Sequence, residues 1–203
     1  RIETMGREYI VKRIEYKDTK DLILNVHYAK RMPSVSYAYG LFCDDIMIGV
    51  CTYGSPASPW LCKGVCGEEH KSNVLELNRL VLVHNRPNEA SLLVARSIAL
   101  LPKPKVIVSY ADVAQGHIGY VYQATNWLYT GATKARTDIA SLNGKHPRHH
   151  AGDRTKRVFR SAKHRYVFMH GNKKERKGLN RALRYGTESY PKKQIDPYNG
   201  NEE

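Results

Sequence analysis

The alternation of apolar and polar positions predicts most of the secondary elements. YAYGLFC and IMIGVCTYG, joined by Asp44 and Asp45, predict a hairpin in which Cys43 and Cys51 act as small apolar strand residues. VLELNRLVLV predicts a strand over 73–83. Strict alternation puts Leu75, Leu77, Val81 and Val83 on one face and Leu80 and Leu82 on the other, with Asn78 and Arg79 interrupting the run. HNRPNEASLLVARSIALLP then changes to helical spacing: Pro87 suits a first turn, and Leu92, Leu93, Ala95, Arg96, Ile98 and Ala99 predict a helix over 88–100. KVIVSYAD predicts a short buried strand at 105–110, followed by a helix over 116–127 and a short strand near LYTGAT. Farther on, GKHPRHHAGD reads as a long loop, HRYVFMHG as a half-buried strand and 173–185 as a basic helix. This succession predicts an α/β fold, a mixed sheet flanked by helices on both faces. The expected division is a core over 1–132 and a basic C-terminal extension over 133–203 that completes the fold and contacts nucleic acid.

Charge distinguishes the two parts. Of a formal net charge of +14, residues 1–132 supply little, with 15 Lys and Arg against 12 Asp and Glu; 133–203 hold 18 against 7. An excess of that size calls for a polyanion, and nucleic acid is the leading partner. No apolar run approaches the roughly 20 residues of a membrane helix, since Arg96 interrupts LLVARSIALLP. RIETMGREYIVKRIEY carries no apolar signal stretch, so a cytoplasmic protein without a membrane partner is expected, and its four cysteines are expected as thiols. CKGVCGEEH spaces Cys62, Cys66 and His70 four apart, which offers three ligands to a soft metal. Structural zinc sites use closer pairs and a fourth ligand, so a glycine-containing loop with incidental thiols stands beside that possibility.

The element order resembles the GNAT superfamily of N-acetyltransferases. That resemblance implies two central strands that splay apart, an acyl donor in the gap, and a pyrophosphate on the N-terminus of the helix following the first strand. Strand 73–83 with helix 88–100 matches that unit, and strand 105–110 matches the splayed neighbour. The donor loop departs from the superfamily pattern Q/R-x-x-G-x-G/A: it reads NRPNEAS, without glycines for close backbone approach and with Glu89 where an anion would sit. Taken together, VLELNRL, NEAS, VSYAD, GHIGYVYQATNWLYTG and KHRYV, spread over most of 74–167, resemble the Mom family of bacteriophage DNA-modification proteins. The resemblance implies a transferase that adds a carbamoylmethyl group to N6 of adenine in phage DNA, in the host cytoplasm, protecting the DNA from host restriction.

That reaction sets requirements the residues can be held against. The lone pair of adenine N6 is delocalised, so a proton must leave as the new bond forms. The base must also leave the duplex, to be stacked on aromatic rings and hydrogen-bonded at its edge. Tyr110, Tyr120, Tyr122, Trp127 and Tyr129 offer rings, and Gln123 and Asn126 offer the donor and acceptor pair suited to adenine. Each ring has core packing as its alternative. Asp112, just past a strand end, is the candidate base, with Ser109 or Tyr122 as relay or oxyanion donor; its alternative is a helix cap. His117 is a proton shuttle or metal ligand, or a satisfied histidine at a helix start. Arg79 is the candidate clamp on the donor, with Asn88 and Ser91 beside it; pairing with Glu76 and simple capping are the alternatives. His27, Lys30 and Arg31 are candidates at the cleft mouth. Arg160, Lys163 and Arg165, with their basic neighbours, are candidates for the duplex backbone, where about six phosphate contacts would give a salt slope of about −5.

The carbamoylmethyl donor is open. An acyl-CoA would by simple transfer give an amide at N6, whereas a glycine-derived donor such as an aminoacyl-tRNA matches the product's atoms and would make RNA a second partner. Bound iron is another possibility. Two other functions compete: an acetyl-CoA-dependent N-acetyltransferase of a different amine, and a non-enzymatic DNA-binding anti-restriction protein.

Overall fold

The computed structural model describes residues 2–4, 7–27, 30–139 and 157–192. The GKHPRHHAGD loop, Tyr28, Arg154 and Lys156 lie outside them. In chain order the elements are β1 (Ile2–Thr4), β2 (Arg7–Arg13), α1 (Tyr16–Asp21) running into a π-helical turn, β3 (Tyr37–Cys43), β4 (Ile46–Gly54), α2 (Pro59–Cys66), β5 (Val74–Leu82), α3 (Glu89–Leu100), β6 (Lys105–Asp112), α4 (Tyr120–Ala124), β7 (Leu128–Ala132), β8 (Arg136–Ile139), β9 (Arg157–Arg160), β10 (Lys163–His170) and α5 (Lys173–Ala182). Among the described residues they form an eight-stranded sheet in the order β1-β2-β3-β4-β5-β6-β10-β7, and a separate ribbon of β8 and β9.

The hairpin turns at Asp44 and Asp45, both at positive φ (48° and 65°), as a type I′ two-residue loop requires. Leu93, Val94 and Ile98 of α3 seal one face of the sheet against Tyr39, Leu41, Tyr53, Leu77 and Ile107. On the other face, Val65 and Cys66 of α2 and Leu179 of α5 cover Val74, Val106, Val108, Val167 and Met169. Asn172 and Glu175 form a reciprocal capping box that starts α5.

Two expectations are corrected. β5 does not alternate strictly: Thr52 pairs with Arg79 and Tyr53 with Leu77, leaving Asn78 as an extra residue. This bulge reverses the faces, so Leu75 and Leu77 before it and Leu80 and Leu82 after it all pack on the α3 side, while Val81 joins Leu22, Ile23 and Val50 on the other. The helix expected over 116–127 shrinks to Tyr120–Ala124, because Gly116, Gly119 and Asn126 all adopt positive φ. Gly119 has no substitute there: a Cβ would lie 2.4 Å from the Tyr166 ring. The chain beyond 132 also supplies an interior strand. β10 pairs along eight residues with β6 and is flanked on its other side by β7.

Candidate active site

β5 and β6 run parallel for only three pairs, Val74–Val106, Leu75–Ile107 and Glu76–Val108. Past Glu76 the bulge carries β5 away, and a cleft of about 690 Å³ opens between the strands. Its lining brings together His27, Asn78, Arg79, Tyr110, Asp112, His117, Tyr120 and Tyr122. Ser109 and Tyr122 meet at its base. Ser109 Oγ lies 2.8 Å from the Leu77 carbonyl and 2.7 Å from Tyr122 Oη, both residues being buried. The Ser109 hydroxyl is thus shared between the Leu77 carbonyl and Tyr122 Oη, and its bond to Leu77 braces the two strands where they part.

Asp112 stands at the rim. Its Oδ1 accepts from the Ala114 N–H (3.0 Å) and the Ser161 hydroxyl (2.5 Å), and its Oδ2 lies 3.4 Å from Lys163 Nζ. Burial alone would raise its pKa, but these hydrogen bonds and the lysine charge hold the carboxyl below the usual range. The bond from Ala114 also caps the short 3-10 turn at Val113–Gln115. Glu76 faces the opposite side of the sheet, where burial raises its pKa against the pull of Arg79 and Lys163. In the sequence Glu76 stands out only as a carboxylate inside an apolar strand, within pairing distance of Arg79.

The clamp assigned to Arg79 is partly occupied. Its Nε and Nη2 donate to the Arg31 carbonyl (3.2 and 2.8 Å) and its Nη1 to the Asn78 carbonyl (2.6 Å), tying the segment before β3 to the bulge. Lys30 and Arg31 are exposed. His27 lines the cleft, and burial together with the Arg79 charge lowers its pKa to about 4, so it is uncharged near neutral pH. Asn88 and Ser91 lie elsewhere, at the start of α3, lining a neighbouring groove of about 500 Å³ with Arg7, Tyr9 and Glu89.

Several assigned residues turn out to be committed to the fold. Trp127 is fully buried, 5.0 Å from the Tyr122 ring and 5.6 Å from Phe168, and cannot stack on a base. Gln123 Nε2 is surrounded by the carbonyls of Ile118 (3.0 Å) and Pro191 (3.3 Å) and by Tyr166 Oη (3.1 Å). Asn126 is exposed beyond the end of α4 and absent from the cleft lining. Arg165 donates to Thr130 Oγ1 (2.8 Å) and O (3.0 Å), with its guanidinium 3.5 Å over the Tyr185 ring. Arg160 lies 3.5 Å from Asp138. Tyr110 is half-buried, whereas Tyr120 is 63% exposed, the most accessible tyrosine of the cleft. Cys66 is buried with its thiol pushed up to about 11 by burial, and among the described residues no cluster of three metal ligands includes it, Cys62 or His70.

The helix start that receives a diphosphate in acetyltransferases is filled from within. Glu89 is 2% exposed; its Oε2 accepts from the Arg86 N–H (2.9 Å), its Oε1 from the Tyr9 hydroxyl (3.2 Å), and Arg86 Nη1 lies 3.7 Å away. A buried carboxylate on a loop N–H occupies a donor that an incoming diphosphate needs and repels that diphosphate. The residues present do not fit a coenzyme A diphosphate.

Comparison with known proteins gives three findings. The model of the Mom protein family matches residues 8–192. The methylcarbamoylase mom of Escherichia phage Mu is 28% identical over 133 residues, covering 63% of this chain and 55% of that protein, so the match spans about half of the relative's length. Among solved structures, Arabidopsis thaliana NAA60 in complex with acetyl-CoA aligns with a TM-score of 0.51 at 9% identity, over 80% of this chain and 98% of that one. A probable acetyltransferase from Staphylococcus epidermidis aligns with 0.50 at 8% identity, over 80% and 99%. These likenesses establish the GNAT-like fold.

Proposed function

The chain belongs to the Mom protein family, and on that premise we propose that it is a DNA-modification transferase that adds a carbamoylmethyl group to N6 of adenine in phage DNA, protecting it from host restriction. The observation that carries this is the splayed β5–β6 cleft, with the Ser109–Tyr122 hydroxyl pair at its base and the exposed ring of Tyr120 at its mouth. An extruded adenine stacks on Tyr120 and enters toward Tyr122. Asp112 is the proposed proton acceptor. Because Ser161 and Ala114 both bond Oδ1, Oδ2 keeps capacity for the N6 proton beside Lys163. Tyr122, whose hydroxyl accepts from Ser109 at the cleft base, donates its own proton to the oxyanion that forms if N6 attacks a carbonyl.

The Glu89 carboxylate favours a donor other than acyl-CoA, in line with a glycine-derived unit such as an aminoacyl-tRNA. Attack of N6 on a glycyl ester forms the N6–carbonyl bond, breaks the ester bond and releases the carrier hydroxyl. The N6-glycyl product is an isomer of the carbamoylmethyl one, so a rearrangement must follow, and mass alone does not tell the two apart.

The test is mass spectrometry of nucleosides from plasmid DNA in bacteria expressing the chain, with chromatographic standards for both isomers. Adenosine carrying the carbamoylmethyl group is expected, lost in Asp112→Asn and Tyr122→Phe while DNA affinity stays within about 1 kcal/mol. Unmodified adenine beside a folded wild-type protein overturns the proposal.

A further inference from the structure

Among the described residues β8 and β9 pair only with each other, from Arg136–Arg160 to Ile139–Arg157, and stand outside the main sheet. All four residues of β9 are exposed, Phe159 by 69% and Val158 by 40%, and the two point to opposite faces of the ribbon. Among the described residues neither belongs to a core cluster. A two-stranded ribbon with no core behind it is marginal in water. Its cations divide between the two faces: Arg157 shares the Phe159 face, while Arg136 and Arg160 lie on the reverse, both near Asp138 (3.1 and 3.5 Å). The root of the ribbon is fastened to the cleft rim. Ser161 bonds Asp112, the Ala162 carbonyl accepts from the Val113 N–H (3.2 Å), and Lys163 approaches the same carboxylate.

We propose that this ribbon enters duplex DNA beside the target adenine and that Phe159 is the wedge that fills the stack when the base leaves it. The inference rests on the adenine-modification function proposed above. The major groove admits a two-stranded ribbon, and apolar side chains inserted at base steps unstack them. The gap left by an extruded base has aromatic walls and a phosphate rim, which an exposed ring with Arg157 on its own face complements; among the described residues Arg157 has no ion-pair partner, whereas Arg136 and Arg160 share Asp138. Asp112 thereby links the wedge to the cleft, so that opening of the duplex and placement of the base share one anchor.

Permanganate oxidation of unstacked thymines tests this, on an end-labelled duplex fragment of plasmid that is modified in cells, with the full chain and no donor. Wild type should raise the reactivity of discrete thymines, Phe159→Ala should lower that signal about tenfold or more, and Phe159→Trp should retain it. The melting temperature of Phe159→Ala should match wild type. An unchanged permanganate pattern in Phe159→Ala, or no wild-type pattern on DNA whose adenines are modified in cells, sinks the wedge and spares the enzyme. Absence of modified adenine in wild-type cells sinks both.

Discussion

β10 and the β8–β9 ribbon come from the same basic third of the chain, yet they meet opposite physical demands. In β10, Tyr166 and Val167 are fully buried, and Arg165 spends its guanidinium on Thr130 and the Tyr185 ring. Eight residues away, Arg157 is exposed beside an exposed phenylalanine. Net charge favours the polyanionic partner proposed above, but which cations would face it is set by what each strand packs against.

The contrast can be broken first at the core. Tyr166→Ala removes a ring packed 5.1 Å from Tyr122 and 5.2 Å from Tyr129. It should cost about 3–5 kcal/mol in chemical denaturation, and a loss under about 1 would deny β10 its core role. Arg165→Ala should cost about 1–3 kcal/mol and leave the salt slope of DNA binding unaltered. Arg157→Ala should do the reverse, keeping stability within about 0.5 kcal/mol while the slope falls by about 0.9. Equal salt slopes for both variants would erase the distinction.

Two pH effects are smaller. Asp112 has a lowered folded pKa, so its stabilisation is complete above its ordinary value of 3.8 and is lost as pH falls through the lower folded one. Asp112→Asn should flatten acid denaturation there, by less than about 1 kcal/mol after solvent screening. His27, held near 4 against 6.5, is neutral when folded; its contribution is present above 6.5 and lost between 6.5 and 4, where the unfolded chain takes the proton first. His27→Gln should remove that slope in a urea series across the window.

Much of the sheet was legible because it rests on local pattern: the Asp44–Asp45 turn, the apolar run of β6 and the helical spacing of α3 are each written within about ten residues. The bulge at Asn78 was visible only as a polar interruption, since nothing local says that one residue will be left unpaired. In the site, Asp112, Ser109, Tyr122, Tyr110, His117 and Arg79 do converge on the cleft. Trp127, Gln123 and Arg165 share the composition of a base pocket, but partners distant in sequence, among them Phe168, Tyr166, Pro191 and Thr130, claim them for the fold. The Ser161 bond to Asp112 spans 49 residues, and no spacing rule reaches that far.

The interior position of β10 also sets a schedule for the chain as it is made. β6 is synthesised long before its neighbour, since β7, β8 and β9 all precede the strand that lies between β6 and β7. During translation, at some 5–20 residues per second, β6 therefore waits several seconds with an open hydrogen-bonding edge. That strand is largely apolar on both faces, with Val106, Ile107, Val108 and Ala111 all buried, and an unpaired apolar edge invites pairing with other nascent chains. The ordering makes the last third of the molecule its own closing latch, and yield in a cell should depend on how quickly residues 163–170 emerge.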